Sequence, residues 1–441
     1  MTTESNKHIP SGDRPSGNMR GTRSPAIGRR GMIATSQALA SAAGLQVLQA
    51  GGNAIDAAVT AAAVLAVIEP SMNGIGGDLL ALVYDAKTKK VYGLDSTGRS
   101  AHAATPAEYA KRGVTDMPTR GPLVVDVPGV VEGWDQLLKR FGTISLADAL
   151  APAIAFARDG FPVAELMANE WLANQDTLAA DPATAATFLP NGVAPKMGEI
   201  FANPRLARSL AIIAKEGRDA FYSGSIARAI VADMQLRSGL LDLRDFADHK
   251  ADWVEPISTS YRGYDVLEMP PSTQGFVALE MLNILEGFDI ASLGHNSADY
   301  LHVISEAKRI AFADRGAFLA DRDHMPKGSL QRLISKDYAA SRRRDIHMNR
   351  AAAKYSPDFA GVDHGDTIYM TAADGQGNVI SFIQSLFNSF GAGFVAGDTG
   401  ITMHNRGSGF TLQPGHPNEI GPHKRPLHTL VPAMLAKNGR P

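Results

Sequence analysis

The side chains that could do chemistry are scattered along this chain, and the common catalytic arrangements are missing. Thr367 opens a strand-like stretch within DHGDTIYMTAADGQGNVISF, residues 363–382. A Thr hydroxyl is a nucleophile only when a base takes its proton. By residue type alone, a Thr at the head of a strand expresses β propensity and nothing more. No G-x-S-x-G elbow marks a serine hydrolase. The 12 histidines are dispersed, with no H-E-x-x-H and no tight His/acid cluster, so no catalytic metal is expected. Gly391, Gly393 and Gly397 have G-x-G-x-x-x-G spacing. That is one residue too long for a dinucleotide fingerprint, and no helical pattern follows, so no cofactor is expected. GIGGD, residues 74–78, reads as a tight turn that needs positive φ.

The elements that must position these groups are legible from pattern. Residues 367–373 and 379–387 read as two strands joined by the Gly-containing turn 374–378, a β-hairpin with Thr367 at its first position. Residues 80–85 and 90–94 form a second strand pair across a short polar turn. Ser145 with Asp148 makes a capping-box helix start, and Gly160 ends that helix. Ser297 caps another helix, in which Tyr300, Val303, Ile304, Ala307, Ile310 and Ala311 share one core-facing side. The apolar run 54–70 is interrupted by Asp56 and ended by Pro70, so it reads as a buried helix and not a membrane span. Helical and strand segments alternate throughout, which predicts a mixed α/β architecture.

Composition narrows the partners. The chain has 441 residues, 44% of them hydrophobic, enough for a large core and about two or three domains. Its 43 basic and 45 acidic side chains leave no footprint for nucleic acid or anionic lipid. Zero cysteines exclude disulfides, thiolate nucleophiles and Cys-based zinc sites. Residues 1–24 are polar, rich in Gly, Pro, Ser and Arg, and lack a signal-peptide apolar core. They read as a disordered tail, with the cytoplasm as the expected location.

Six ordered segments together resemble the γ-glutamyltransferase family of N-terminal-nucleophile (Ntn) hydrolases. They are AGGNAIDAAVTAAAVLAVIEPSMNGIGGD (50–78), VVDVPGVVEGW (124–134), YRGYDVLEMPPSTQGFVALEMLNILEGFD (261–289), LGHNSADYLHVISEAKRIAFADR (293–315), the Thr367 segment and HKRPL (423–427). The resemblance implies a four-layer αββα sandwich made as one inactive chain that cuts itself between Asp366 and Thr367. The products would be a large region, 25–366 behind the tail, and a small region, 367–441, held in one fold as a heterodimer. Association into a homo-oligomer stays open. Inside a chain the Thr nitrogen is an amide and cannot act as a base. Once cut free it is an α-amine with an ordinary pKa of about 7.7–8.0. Thr367 would then carry nucleophile and base on one residue. Its hydroxyl would attack a small amide, of γ-glutamyl type or related, and water or another amine would release the acyl group. Ser385 falls where the family places a second hydroxyl that orients the nucleophile.

The substrate-binding positions depart from the γ-glutamyl pattern. The Arg that holds the substrate α-carboxylate aligns with Thr97, and Arg99, two residues on, substitutes only if the backbone bulges. The paired hydroxyls after K-R-P-L are here His428 and Thr429. The acid that holds the α-ammonium aligns with Gly409; further polar contacts align with Arg406 and with Phe387, beside Asn388. Burying an ammonium without a carboxylate costs several kcal/mol. The pocket therefore reads as suited to an acyl group with a carboxylate and no adjacent ammonium, as in the branches acting on oxamate-like amides or β-lactam side chains. Relatives also continue past this region into a Gly-Gly pair that forms the oxyanion hole, whose loss would remove about 3 kcal/mol of transition-state stabilisation. Since this chain stops at Pro441, the expectation is a fragment of a longer, active parent. The alternative is a catalytically inactive form with a binding role.

Overall fold

A computed structural model of the chain describes residues 26–355 and 366–441. The expected tail, 1–24, lies outside the described residues. Eleven strands run in order: β1 (Gly31–Ala34), β2 (Asp78–Asp85), β3 (Lys90–Ser96), β4 (Phe161–Pro162), β5 (Ile200–Phe201), β6 (Asp252–Val254), β7 (Ile257–Tyr261), β8 (Tyr264–Glu268), β9 (Asp366–Asp374), β10 (Val379–Phe387) and β11 (Ala433–Ala436). Six of them form one antiparallel sheet in the order β1-β9-β10-β2-β3-β6, and β11-β8-β7 form a second. The β9–β10 hairpin of the sequence reading is therefore central: it lies between β1 and β2.

Alternation along the strands sorts the layers. Leu79, Ala81 and Val83 of β2, with Ile368, Met370 and Ala372 of β9, pack into the core that includes α1 (Ala38–Gln49) and α2 (Ala54–Ile68). Leu80, Leu82 and Tyr84 face the other way, onto Ile383, Met269, Leu430 and Met434 between the sheets. Beyond the second sheet lie the helices Gly275–Leu285 and Ala298–Phe318. This is the expected helix–sheet–sheet–helix sandwich. It explains why β2 reads as a continuous apolar run: both of its faces are covered.

α2 is the buried helix that the apolar run predicts, with all 15 residues inaccessible. Asp56 is tolerated there because it works at the helix start. Its carboxylate accepts from Asn53 N at 2.9 Å and Thr143 N at 2.8 Å, closing a capping box with Asn53. Capping at Ser145 with Asp148 and at Ser297 is also as read, and Gly160 ends its helix at φ 92°. Among the described residues no helix is long and apolar enough to cross a membrane.

The GIGGD turn corrects its sequence reading. Positive φ occurs at none of Gly74, Gly76 and Gly77. The glycines are needed for close approach instead. A Cβ on Gly76 would lie 2.1 Å from the Thr402 carbonyl oxygen, and one on Gly77 2.3 Å from that of Ser385. Only bare backbone lets the 402–404 segment and the end of β10 close over the start of β2.

Candidate active site

Three strand ends meet at one end of the six-stranded sheet, in its interior. Thr367 is the second residue of β9, and Ser385 stands near the end of β10 directly opposite Asp78, the first residue of β2. Alternation puts Thr367, Ser385 and Asp78 on the face toward the second sheet. Thr367 Oγ1 donates to Ser385 Oγ at 3.0 Å. The β9–β10 register shifts between Gln384 and Phe387, a bulge at the hairpin's open end. Phe387 takes φ 79°, unusual for a bulky residue, and its N–H turns back to donate to Ser385 Oγ at 2.8 Å.

Arg406 supplies a third donor. It starts a short 3-10 turn, Arg406–Gly409, in the glycine-rich segment, and it is 1% exposed. Its Nη2 donates to Ser385 Oγ at 3.3 Å and its Nη1 to Thr429 Oγ1 at 3.0 Å. Its Nε lies 3.6 Å from Asp78 Oδ2, and its Cζ sits 4.1 Å from the centre of the Phe387 ring. Burial pulls the guanidinium down to about 10, against the opposing pull of Asp78 and Asp126.

Asp78 anchors the cluster from below. Its Oδ1 accepts from Gly98 N at 2.8 Å; its Oδ2 meets His428 Nε2 at 3.1 Å and His404 Nδ1 at 3.3 Å. Burial favours the neutral acid, but the two imidazoles outweigh it and hold the Asp78 carboxyl well below its ordinary range. Burial lowers His428 to about 4, with Arg406 adding to the effect. Burial also opposes charge on His404, yet Asp78 wins and raises it. Asp126 lies close behind, where His404 Nε2 meets its backbone oxygen at 2.8 Å. Burial pushes the Asp126 carboxyl up to about 8.

The fold thus gathers Thr367, Ser385, Arg406, His428 and Thr429 around one centre. Asn388 follows directly; its N–H donates to Asn405 Oδ1 at 3.0 Å, and its own Oδ1 is buried without a hydrogen-bond partner among the described residues. Arg99 goes elsewhere. Its Nη2 meets Asp252 Oδ2 at 3.1 Å, an oxygen shared with Arg425 Nη1 at 2.7 Å and Arg322 Nη2 at 2.5 Å. Thr97 is buried and donates to Asp95 Oδ1 at 2.7 Å. Asp78 and His404 carry as much of the geometry as any candidate, and neither was singled out from sequence. The available signal was a charge opening the otherwise apolar DLLALV run of β2.

A hydroxyl at a strand end, facing the space between two sheets and bonded to a second hydroxyl, on an αββα frame, defines an Ntn-type amide hydrolase. The comparisons agree: a family model described as Gamma-glutamyltranspeptidase matches residues 40–441. The chain is 42% identical to the Glutathione hydrolase-like YwrD proenzyme of Bacillus subtilis (strain 168), over 94% of this chain and 78% of that protein. It is 40% identical to the Acylase ACY 1 proenzyme of Pseudomonas sp. (strain SE83), over 95% and 76% respectively. The crystal structure of cephalosporin acylase from Bacillus halodurans superposes with a TM-score of 0.89 at 39% identity, covering 98% of this chain and 80% of that one. The chain belongs to the gamma-glutamyltranspeptidase family.

Proposed function

We propose that this protein is a self-processing amide hydrolase or acyltransferase whose nucleophile is Thr367. The Thr367 Oγ1 adds to the carbonyl carbon of Asp366, the amide nitrogen leaves, and water hydrolyses the resulting ester. The products are a carboxylate on Asp366 and a free α-amine on Thr367. In turnover that amine takes the hydroxyl proton as Oγ1 adds to a substrate amide. The leaving amine departs with a proton, and water or an acceptor amine releases the acyl group. The single observation that carries this reading is the 3.0 Å contact between Thr367 Oγ1 and Ser385 Oγ at the head of the central strand. The sheet order supports it as well. Strands β9 and β10 are flanked by β1 and β2, so fragments 1–366 and 367–441 would share one sheet after a cut.

The acyl group in this reading carries a carboxylate and no α-ammonium. Neither acid of the cluster is free to hold an ammonium. Asp78 is taken by two histidines, Arg406 and Gly98 N, and Asp126 is held neutral by burial at pH 7. Asn388 Oδ1, three residues beyond Ser385, is buried without a hydrogen-bond partner among the described residues and is assigned to the substrate. Denaturing gels of the purified full chain and its Thr367→Ala variant test the processing step. Two bands for the parent and one for the variant are expected; a single intact band for both removes the proposal. Glutaryl p-nitroanilide should be cleaved faster than γ-glutamyl p-nitroanilide, and the reverse order refutes the acyl-group assignment.

A further inference from the structure

Arg406 aligns with a substrate-contacting position of the γ-glutamyl enzymes, yet it is buried and each of its guanidinium nitrogens faces a protein group. Nη1 is bonded to Thr429 Oγ1, Nη2 to Ser385 Oγ, and Nε lies against Asp78. The Phe387 ring covers the guanidinium plane. What remains is its path to the nucleophile, through one hydroxyl. Ser385 Oγ accepts from Arg406 Nη2, Phe387 N and Thr367 Oγ1.

We infer that Arg406 is a positioning residue that sets the proton affinity of Thr367 through Ser385, and that it is not a clamp for the substrate. The inference rests on the reading of Thr367 as nucleophile. One of the donors that Ser385 Oγ shares with Thr367 is the charged guanidinium of Arg406. The same cation lies one hydroxyl away from the Thr367 side chain. A like charge disfavours the ammonium, so the amine stays neutral, and basic, at lower pH.

The groups facing Arg406 fit this role. From β2, Asp78 supplies the counter-charge, on the guanidinium edge that bears Nε. His428, from the segment before β11, is held neutral. Asp126, from the loop before the helix Val130–Phe141, is held as the uncharged acid. His404, two residues from Arg406, is turned to Asp78. The cation is therefore anchored on one edge and presented to Ser385 on another.

The test is the titration of the Thr367 α-amine in the processed full chain, read by the pH dependence of its acetylation with mass spectrometry. The wild-type midpoint should fall below the ordinary range of about 7.7–8.0. Arg406→Gln should raise it by about one pH unit, and Arg406→Lys, which keeps the charge, should restore it. The rising limb of kcat/KM for glutaryl p-nitroanilide should move by the same amount. A wild-type midpoint at or above the ordinary range overturns the inference, even if Arg406→Gln does not fold. So does an unmoved midpoint in Arg406→Gln with a raised KM, which would make Arg406 a substrate clamp after all. A Thr367→Ala chain that is still cut before residue 367 would instead sink the nucleophile itself, which keeps the two failures apart.

Discussion

Arg99 stands two residues from the position that aligns with the family's carboxylate-binding Arg, Arg406 aligns with a further polar contact, and the fold gives them opposite surroundings. Arg406 is sealed in a cluster where one acid, Asp78, meets two histidines and one arginine, all of them inaccessible. Arg99 joins a cluster where three arginines share one oxygen of Asp252, whose side chain is 35% exposed. Water reaches Asp252, Arg99 and Arg322 of the second cluster, though not Arg425, and none of the first. A charge next to water loses little when its partner is removed, whereas a sealed charge must be fully compensated. The comparison teaches that position in an alignment does not fix a role. Access and partners do.

The sharpest way to break this contrast is to neutralise the two central acids. Asp78→Asn leaves Arg406 buried without its counter-charge and should destabilise the fold by about 3–5 kcal/mol. Asp252→Asn should cost less, about 1–2 kcal/mol, because Arg99 and Arg322 are partly exposed and the buried Arg425 keeps Asp95 at 3.7 Å. Urea unfolding midpoints of the two variants measure this, and equal losses would erase the distinction. Next in size, Ser385→Ala should lower kcat roughly 10–100-fold with KM nearly unchanged, since it removes the hydroxyl that holds Thr367 Oγ1 in place. A KM effect alone would place Ser385 with the substrate.

Smaller effects sharpen the comparison through pH. Asp126 in the sealed cluster is raised to about 8, so the folded chain keeps a proton that the unfolded chain loses near the ordinary value of 3.8. Its contribution is fully present below pH 4 and is lost as pH rises through 8. Asp126→Asn should therefore flatten the fall in Tm between pH 5 and 8 by a few degrees, roughly. Asp252 has the opposite sign. Burial would raise it, but Arg425, Arg322 and Arg99 outweigh that and lower it, so its contribution is lost only as pH falls below the ordinary carboxylate range. The smallest effect is expected for Arg99→Gln. Stability should change by at most about 1 kcal/mol, and turnover of glutaryl p-nitroanilide by no more than roughly twofold. A large rise in KM would return Arg99 to the substrate.

Much of the frame was readable because its signals are local. The β9–β10 hairpin, the capping boxes and the α2 core helix each follow from residues a few positions apart, where period and cap chemistry decide the outcome. The GIGGD turn forms without positive φ. What its glycines meet are carbonyls of Thr402 and Ser385, and local sequence holds no record of such contacts. The Asp78 cluster was invisible for the same reason, with His428 and Asp78 separated by 350 positions.

Residue order alone carried two strand pairs, the capped helices, the buried helix α2, the six-segment family pattern, and Thr367 at the head of a hairpin. Those follow from short-range periodicity and from residue types at matched positions. Only the tertiary structure decided that Arg406 backs Ser385 while Arg99 turns to Asp252, and that Asp78 is fully engaged. These outcomes depend on which charges are excluded from water and which distant partners reach them. That is a property of packing, and the order of residues does not display it.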